Sequence, residues 1–173
     1  MRPKIVYHGS PVGGLREIRP DNQRVRDPYE GPVVFASEEM AMAAMFLGPR
    51  PDDRWSLRGC FDNTYYMLIA DEERFRREDR GGHLYEIPVD HFERDVSRGL
   101  ETEWICRRAV RPVACHSYNS ALDAMLVHQV NVYFIDHRFL RKFRHAIFFH
   151  PFHARELLAG LVPENKKAEK IGL

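Results

Sequence analysis

Apolar positions fall into short runs separated by polar stretches that carry glycine and proline, and their spacing alternates between strand and helix periods along the chain. Lys4-Ile5-Val6-Tyr7 is rich in β-forming types, and Gly9 is expected to turn the chain where a side chain would obstruct close backbone approach. His8 is thereby expected at a strand end, over a groove. Residues 32–37 predict a buried strand, with Ser37 as N-cap and Glu38 and Glu39 in the first turn of a helix. That helix carries Met40, Ala41, Ala44, Met45 and Phe46 and is expected to stop at Gly48-Pro49. Residues 11–31 between the two strands predict a loop anchored by Leu15 and Ile18, and residues 50–59 a polar loop anchored by Trp55.

Further on, residues 63–69 predict a strand and Asp71 caps a short helix running through Arg74 and Phe75. Tyr65 and Tyr66 are packing residues or, alternatively, line a groove. Gly81-Gly82 marks a turn, and residues 83–89 a strand whose end lies at or near Pro88, with Phe92 filling the core beyond it. Residues 101–106 open another strand, which residues 109–115 continue or pair with. Residues 117–129 predict a helix that starts near Ser117 or Asn119 and gathers Leu122, Met125 and Leu126 on one side. Residues 130–135 form a compact strand. From Asp136 a basic helix interleaves Arg138, Arg141, Lys142 and Arg144 with Phe139, Leu140 and Phe143, the pattern of an amphipathic helix with solvated charges or of a nucleic-acid surface. Residues 152–160 add a short helix. Residues 1–162 are thus expected to form one domain, and residues 163–173 a frayed tail.

A length of 173 residues suits one domain with a real core, and 44% hydrophobic against 29% charged residues is globular composition rather than disorder. The formal net charge of +1 gives no global attraction to nucleic acid or anionic membrane. Cys60, Cys106 and Cys115 are an odd set without CxxC spacing, which argues against a disulfide framework or zinc ribbon and for a reducing, cytoplasmic setting. No apolar run approaches the roughly 20 residues that span a bilayer. The first residues lead straight into a strand, so no export segment and no membrane partner are expected.

Two elements carry chemistry as an ordered pair: His8-Gly9-Ser10 after the first apolar run, and Phe35-Ala36-Ser37 leading into Ala41, Ala43 and Ala44. This pair resembles the ADP-ribosyltransferase superfamily, whose first strand ends in His-Gly-Ser or His-Gly-Thr. Its second strand ends in an aromatic, a small residue and Ser or Thr before an Ala-rich helix. The resemblance spans about residues 4 to 135 and is strongest before residue 48. It implies an α+β domain with two small curved, antiparallel-rich sheets around a nucleotide groove, and NAD as the substrate from which ADP-ribose is transferred.

By this resemblance His8 bonds a ribose hydroxyl of NAD, the Gly9 backbone holds the nicotinamide amide, and Phe35 stacks on the nicotinamide ring, with Ser10 and Ser37 completing the clamp. Phe35 departs from the Tyr often found there, which keeps stacking and loses the hydroxyl. The family places a catalytic acid at the start of a late strand. Glu103 best fills that place, Glu101 is the same-face alternative, and Asp95 is a third candidate. Arg16, Arg19, Arg24 and Arg26 lie in the first loop, and of these Arg19 and Arg24 are the candidates for a pyrophosphate. The acceptor is a protein side chain, a nucleic acid or a small molecule, and a toxin-like role fits this class.

Competing readings are few. A metal centre is not expected, because there is no HExxH and His145, His150 and His153 sit in an aromatic stretch as packing or surface residues. A thiol nucleophile built from Cys115 and His116 is opposed by their adjacency, which sends them to opposite faces of a strand. P-loop, GxGxxG and GxSxG motifs are absent. The remaining alternatives are an RNA 2'-phosphotransferase-like enzyme, which shares the fold and a similar strand end, and a catalytically degenerate binding or structural module.

Overall fold

The two apolar runs at the start of the chain become β1 (Ile5–Ser10) and β2 (Val34–Ser37), the middle strands of a six-stranded sheet. The structure, a computed structural model, describes residues 2–20, 31–49, 55–95 and 102–166. β5 (Gly82–Pro88) and β8 (Ala114–Tyr118) extend the sheet on one side, and β7 (Glu103–Cys106) and the two-residue β6 (Glu93–Arg94) on the other. The order is β6-β7-β2-β1-β5-β8, and every neighbouring pair is antiparallel. A smaller sheet joins β3 (Ser56–Phe61), β4 (Thr64–Ile69) and β9 (Asn131–Phe134) in that order. Asp62 and Asn63, with φ of 48° and 60°, form the tight turn of the β3–β4 hairpin, whereas β4 and β9 run parallel.

Helices α1 (Met40–Ala44), α2 (Glu72–Glu78), α3 (Ala121–Val127), α4 (His137–Phe149) and α5 (Pro151–Ala159) join the sheets in an α+β domain. Their apolar faces define layers. Ala43 of α1 and Ala121 and Ala124 of α3 pack on Leu84 of the large sheet. Met42 and Met45 beside them, and Met125, meet Met67, Ile69 and Val132 of the small sheet. α1 and α3 are therefore sandwiched between the sheets. The outer face of the small sheet, through Tyr66, Leu68 and Tyr133, is covered by Leu140, Phe143, Ala146 and Ala154 of α4 and α5. The other face of the large sheet buries Val6, Val34, Ala36, Tyr85, Ile87 and Trp104 under Ile18 and Val110.

Several boundaries differ from the sequence expectations. Gly9 lies inside β1 rather than at a turn, and what requires glycine is α1: a Cβ there would stand 1.9 Å from the Ala43 carbonyl oxygen. Ser37 does not cap α1. Its Oγ accepts from Glu39 N at 3.0 Å in a turn before the helix, whose N-cap is Glu39, so Glu38 and Glu39 both precede it. α1 ends at Ala44, short of Gly48-Pro49.

The second loop is shorter than expected, because β3 begins at Ser56 directly after buried Trp55. Residues 109–115 are not one strand. Val110 bridges Ile18 through paired bonds of 2.8 and 2.9 Å, and β8 begins only at Ala114. Ser117 belongs to β8, and the cap of α3 is Ser120, which accepts from Asp123 N. Pro163 is buried and Asn165 donates to Asn131 Oδ1 at 3.0 Å, while residues 167–173 lie outside the described residues.

Asp79 ties α2 to α3. Its carboxylate accepts from Gly81 N at 2.8 Å, Ala121 N at 2.8 Å, Leu122 N at 3.2 Å and Ser120 Oγ at 3.0 Å. It thus satisfies the open N–H groups at the start of α3, where negative charge also complements the helix dipole. Asp79→Ala is expected to cost about 2 kcal/mol, a fall in melting temperature of roughly 4–8 °C by thermal denaturation. An unchanged melting temperature would show that water replaces the carboxylate without cost.

Candidate functional site

The pairing of β1 with its two neighbours is unequal. With β5 it runs over six consecutive pairs from Ile5↔Pro88 to Ser10↔His83, whereas with β2 it consists of the single pair Tyr7↔Ser37. The bond from Val89 N to Lys4 O at 3.1 Å sets the alternation: main-chain groups of Val6, His8 and Ser10 point at β5, and those of Ile5, Tyr7 and Gly9 point at β2. A continued β1–β2 ladder would pair Gly9 with Phe35. Instead His8 Nδ1 donates to the Phe35 carbonyl at 2.7 Å. The strands split there, and the Gly9 amide faces the opening without a register partner in β2. A carbonyl only accepts, so the Nδ1 proton is fixed and the neutral ring's acceptor is Nε2.

One row of the sheet gathers the acids. Glu86 pairs with Tyr7, Tyr7 with Ser37, and Ser37 with Glu103, so these side chains leave the same face at neighbouring positions, with Cα atoms about 4.5–5.5 Å apart. The β6–β7 register and the bond from Asp95 N to Glu103 O at 3.0 Å put Asp95 next in that row. Two of the three acids proposed from sequence are therefore neighbours, and Glu101 lies outside the described residues. Phe35 is on this face one step along, opposite Ile105. By alternation His8 leaves from the other face, with Ala36 and Trp104, and its ring turns back into the split.

The segment before Glu103 is held from two sides. Thr102 O accepts from Glu38 N at 3.1 Å, and Thr102 Oγ1 shares a 3.0 Å bond with Tyr65 Oη from the small sheet. Tyr65 and Tyr66 are both buried packing residues, yet Tyr65 also ends at the site. Burial is the main cause that raises the Tyr65 phenol, its bond to Thr102 opposing, with Cys60, Glu39 and Glu38 adding to the rise. Burial likewise raises Tyr7, followed by Glu86 and Glu39. Both phenols stay neutral beside the carboxylates. Tyr66, wedged between Phe61 and Phe143, is pushed up to about 12, mainly by burial. Glu38, Glu39, Glu86, Asp95 and Glu103 surround the split with negative charge, offset in part by Arg94 on Glu38 at 3.1 Å. Such a field suits a cationic ring or a sugar that develops positive charge.

The other sequence candidates are placed differently. Ser10 is buried, and its Oγ accepts from Val12 N at 3.1 Å, which turns the chain out of β1. Ser37 is 2% exposed. Arg16 and Arg19 are exposed, Arg19 bonding Glu17 at 2.6 Å, and Arg24 and Arg26 lie outside the described residues. Cys115 and His116 do diverge: His116 bonds Glu86 at 2.7 Å, while Cys115 lies 3.9 Å from His83 Nδ1. His145, His150 and His153 are on the surface. Among the described residues no three His, Cys, Asp or Glu side chains are grouped to hold a metal.

Sequence reasoning missed Thr102 and the contact of Tyr65 with it, for which a lone Thr before Glu103 is no signal. A cleft of about 440 Å³ opens at the far end of β7, lined by Arg2, Asp90, His91, Glu93, Arg107 and Arg108. It contains none of the clamp residues, and Arg2 there is bonded to the Val89 and Phe92 carbonyls. The split between β1 and β2, with its open amide and row of acids, is the chemically equipped place. No helix among the described residues is long and apolar enough to cross a membrane. No family model, no curated protein and no solved structure matches this chain.

Proposed function

We propose that this protein transfers ADP-ribose from NAD to an acceptor and releases nicotinamide. The reading is supported above all by the split at Gly9, which turns a main-chain N–H and C=O toward an opening one pair away from Ser37 and its neighbour Glu103. An adjacent donor and acceptor on one residue complement a primary carboxamide, which carries the same two groups in reverse. Phe35 offers a ring face for the nicotinamide, and His8 Nε2 an acceptor for a ribose hydroxyl.

In this reading the bond between C1' of the ribose and the nicotinamide nitrogen breaks, and its electron pair neutralises the ring nitrogen. The sugar becomes an oxocarbenium ion, which the Glu103 carboxylate stabilises electrostatically. The acceptor's lone pair then forms the new bond to C1', and its proton leaves to solvent or to a nearby carboxylate.

The test pairs nicotinamide release with NAD-induced thermal stabilisation. Wild-type protein at a hundredfold excess of NAD over its dissociation constant gains about 2.7 kcal/mol, or roughly 5–11 °C. His8→Ala is expected to lose most of that shift, because it removes the ribose contact and frees the Phe35 carbonyl to close the ladder on Gly9. Absence of both the shift and nicotinamide release from wild-type protein would falsify the proposal.

A further inference from the structure

α4 buries Leu140, Phe143 and Ala146 against the small sheet, so its opposite stripe faces solvent. Arg138, Arg141, Lys142, His145, Phe148 and Phe149 are spaced by three and four residues along that stripe, and all are exposed. Phe148, Phe149 and Phe152 are 81%, 67% and 82% exposed, which is costly for apolar rings in a folded chain and marks an interaction site. The cations occupy the first two turns and the rings the last turn and the corner into α5. There is no Asp or Glu from His137 to Arg155, although the whole chain carries only +1.

Arg144 and Arg155 in this segment are tied down, on Ser56 O and on Asp62. Arg138, Arg141 and Lys142 meet no hydrogen-bond or ion-pair partner among the described residues. A partner must therefore bring negative charge to one end of the stripe and accept flat rings at the other.

We infer that this stripe is a docking surface for single-stranded nucleic acid, whose phosphates meet Arg138, Arg141 and Lys142 and whose bases stack on Phe148, Phe149 and Phe152. Charge complementarity selects a polyanion, and the ring chemistry selects its kind. Imidazoles alternate with the phenyl rings: His145 lies 4.7 Å from Phe149 and 6.3 Å from His150, with His153 one residue beyond Phe152. Insertion of this corner into a lipid surface would strip water from those imidazoles, whereas a nucleobase stacks on imidazole and phenyl alike. A helix of 13 residues is about 20 Å long, enough for a few nucleotides of an extended strand. α4 covers the small sheet on the face away from Tyr65, so the docking surface is separate from the split and stands whether or not NAD is the substrate there.

The test is fluorescence anisotropy of a labelled deoxythymidine strand of about 12 nucleotides, within the usual site sizes of single-strand binders, with full-length protein. Binding is expected to weaken as salt rises. The triple variant Arg138→Gln/Arg141→Gln/Lys142→Gln is expected to lower the slope of log affinity against log salt by about 2, at ~0.7 per lost phosphate contact. Phe148→Ala/Phe152→Ala is expected to weaken binding at least about thirtyfold with little change in that slope, since each of the two stacked bases contributes ~1 kcal/mol or more. All five positions are exposed, and a melting curve of each variant serves as the check that it folds. Failure of wild-type protein to bind the strand at low salt, equal binding by wild type and both variants, or capture by phosphatidylserine vesicles without strand binding would each overturn the inference.

Discussion

Glu103→Gln is expected to slow nicotinamide release about 100- to 1000-fold while leaving NAD-induced stabilisation intact, the loss seen when one preorganised electrostatic group is removed from a transition state. The expectation comes from position. Glu103 is the register partner of Ser37, beside the pair at which the β1–β2 ladder opens, and the preceding Thr102 is fixed by Glu38 N and Tyr65 Oη. Its carboxylate is carried by a strand rather than a loop, so it is in place before substrate arrives. Gln keeps the shape and loses the charge, so ground-state binding through Gly9 and His8 should change little. Only the developing positive charge on the sugar should feel the substitution.

Asp95 supplies the internal comparison. It is buried next to Glu103 in the same row, and Asp95→Asn removes a charge at one register step further from the split. It is expected to cost less than tenfold in turnover, with an order-of-magnitude gap from Glu103→Gln, about 1.4 kcal/mol of barrier, easily measured. If the larger loss falls on Asp95→Asn, the two acids exchange roles. If neither variant slows release, the row of acids is not the reacting site.

How far the sequence carries is clearest at particular residues. β1, β2 and β4 are apolar runs, and Asp71 caps its helix as residue type predicts, accepting from Arg74 N at 2.9 Å; Asp136, expected only as the start of a basic segment, caps α4 in the same way through Phe139 N at 2.6 Å. β8 escapes because it is an edge strand: Ala114 through Ser117 are exposed and show no apolar alternation. The row joining Tyr7, Ser37, Glu103 and Asp95 is set by strand pairing across up to 66 positions, that of Ser37 with Glu103, and the bond between His8 and Phe35 joins residues 27 apart. Composition and period carry no trace of such pairings. The strands that carry the two motifs lie side by side in the large sheet, while the reason for glycine at position 9 lies in packing that no local pattern encodes.

Gly9→Ala is expected to destabilise the fold by about 3 kcal/mol, roughly 6–12 °C in melting temperature, whether or not NAD is present. An added Cβ would stand 1.9 Å from the Ala43 carbonyl oxygen, 2.9 Å from its carbon and 3.1 Å from Leu47 Cδ1. Two of these atoms are backbone, so no rotamer change relieves the clash and α1 itself must retreat. α1 is sandwiched between the sheets, with Ala43 3% and Ala44 0% exposed, so its retreat opens contacts with Leu84 on one side and the small-sheet cluster on the other. Gly14 provides the contrast: its φ is +69° but a Cβ there would meet nothing within 4 Å, so Gly14→Ala should cost only about 1–2 kcal/mol of backbone strain. A smaller loss at Gly9 than at Gly14 would mean that α1 yields easily and that glycine at position 9 serves the ligand alone. The larger loss means that the same glycine seats α1 with the face lacking a Cβ and turns its amide to the β1–β2 split, so that this site cannot be altered at Gly9 without loosening the middle of the fold.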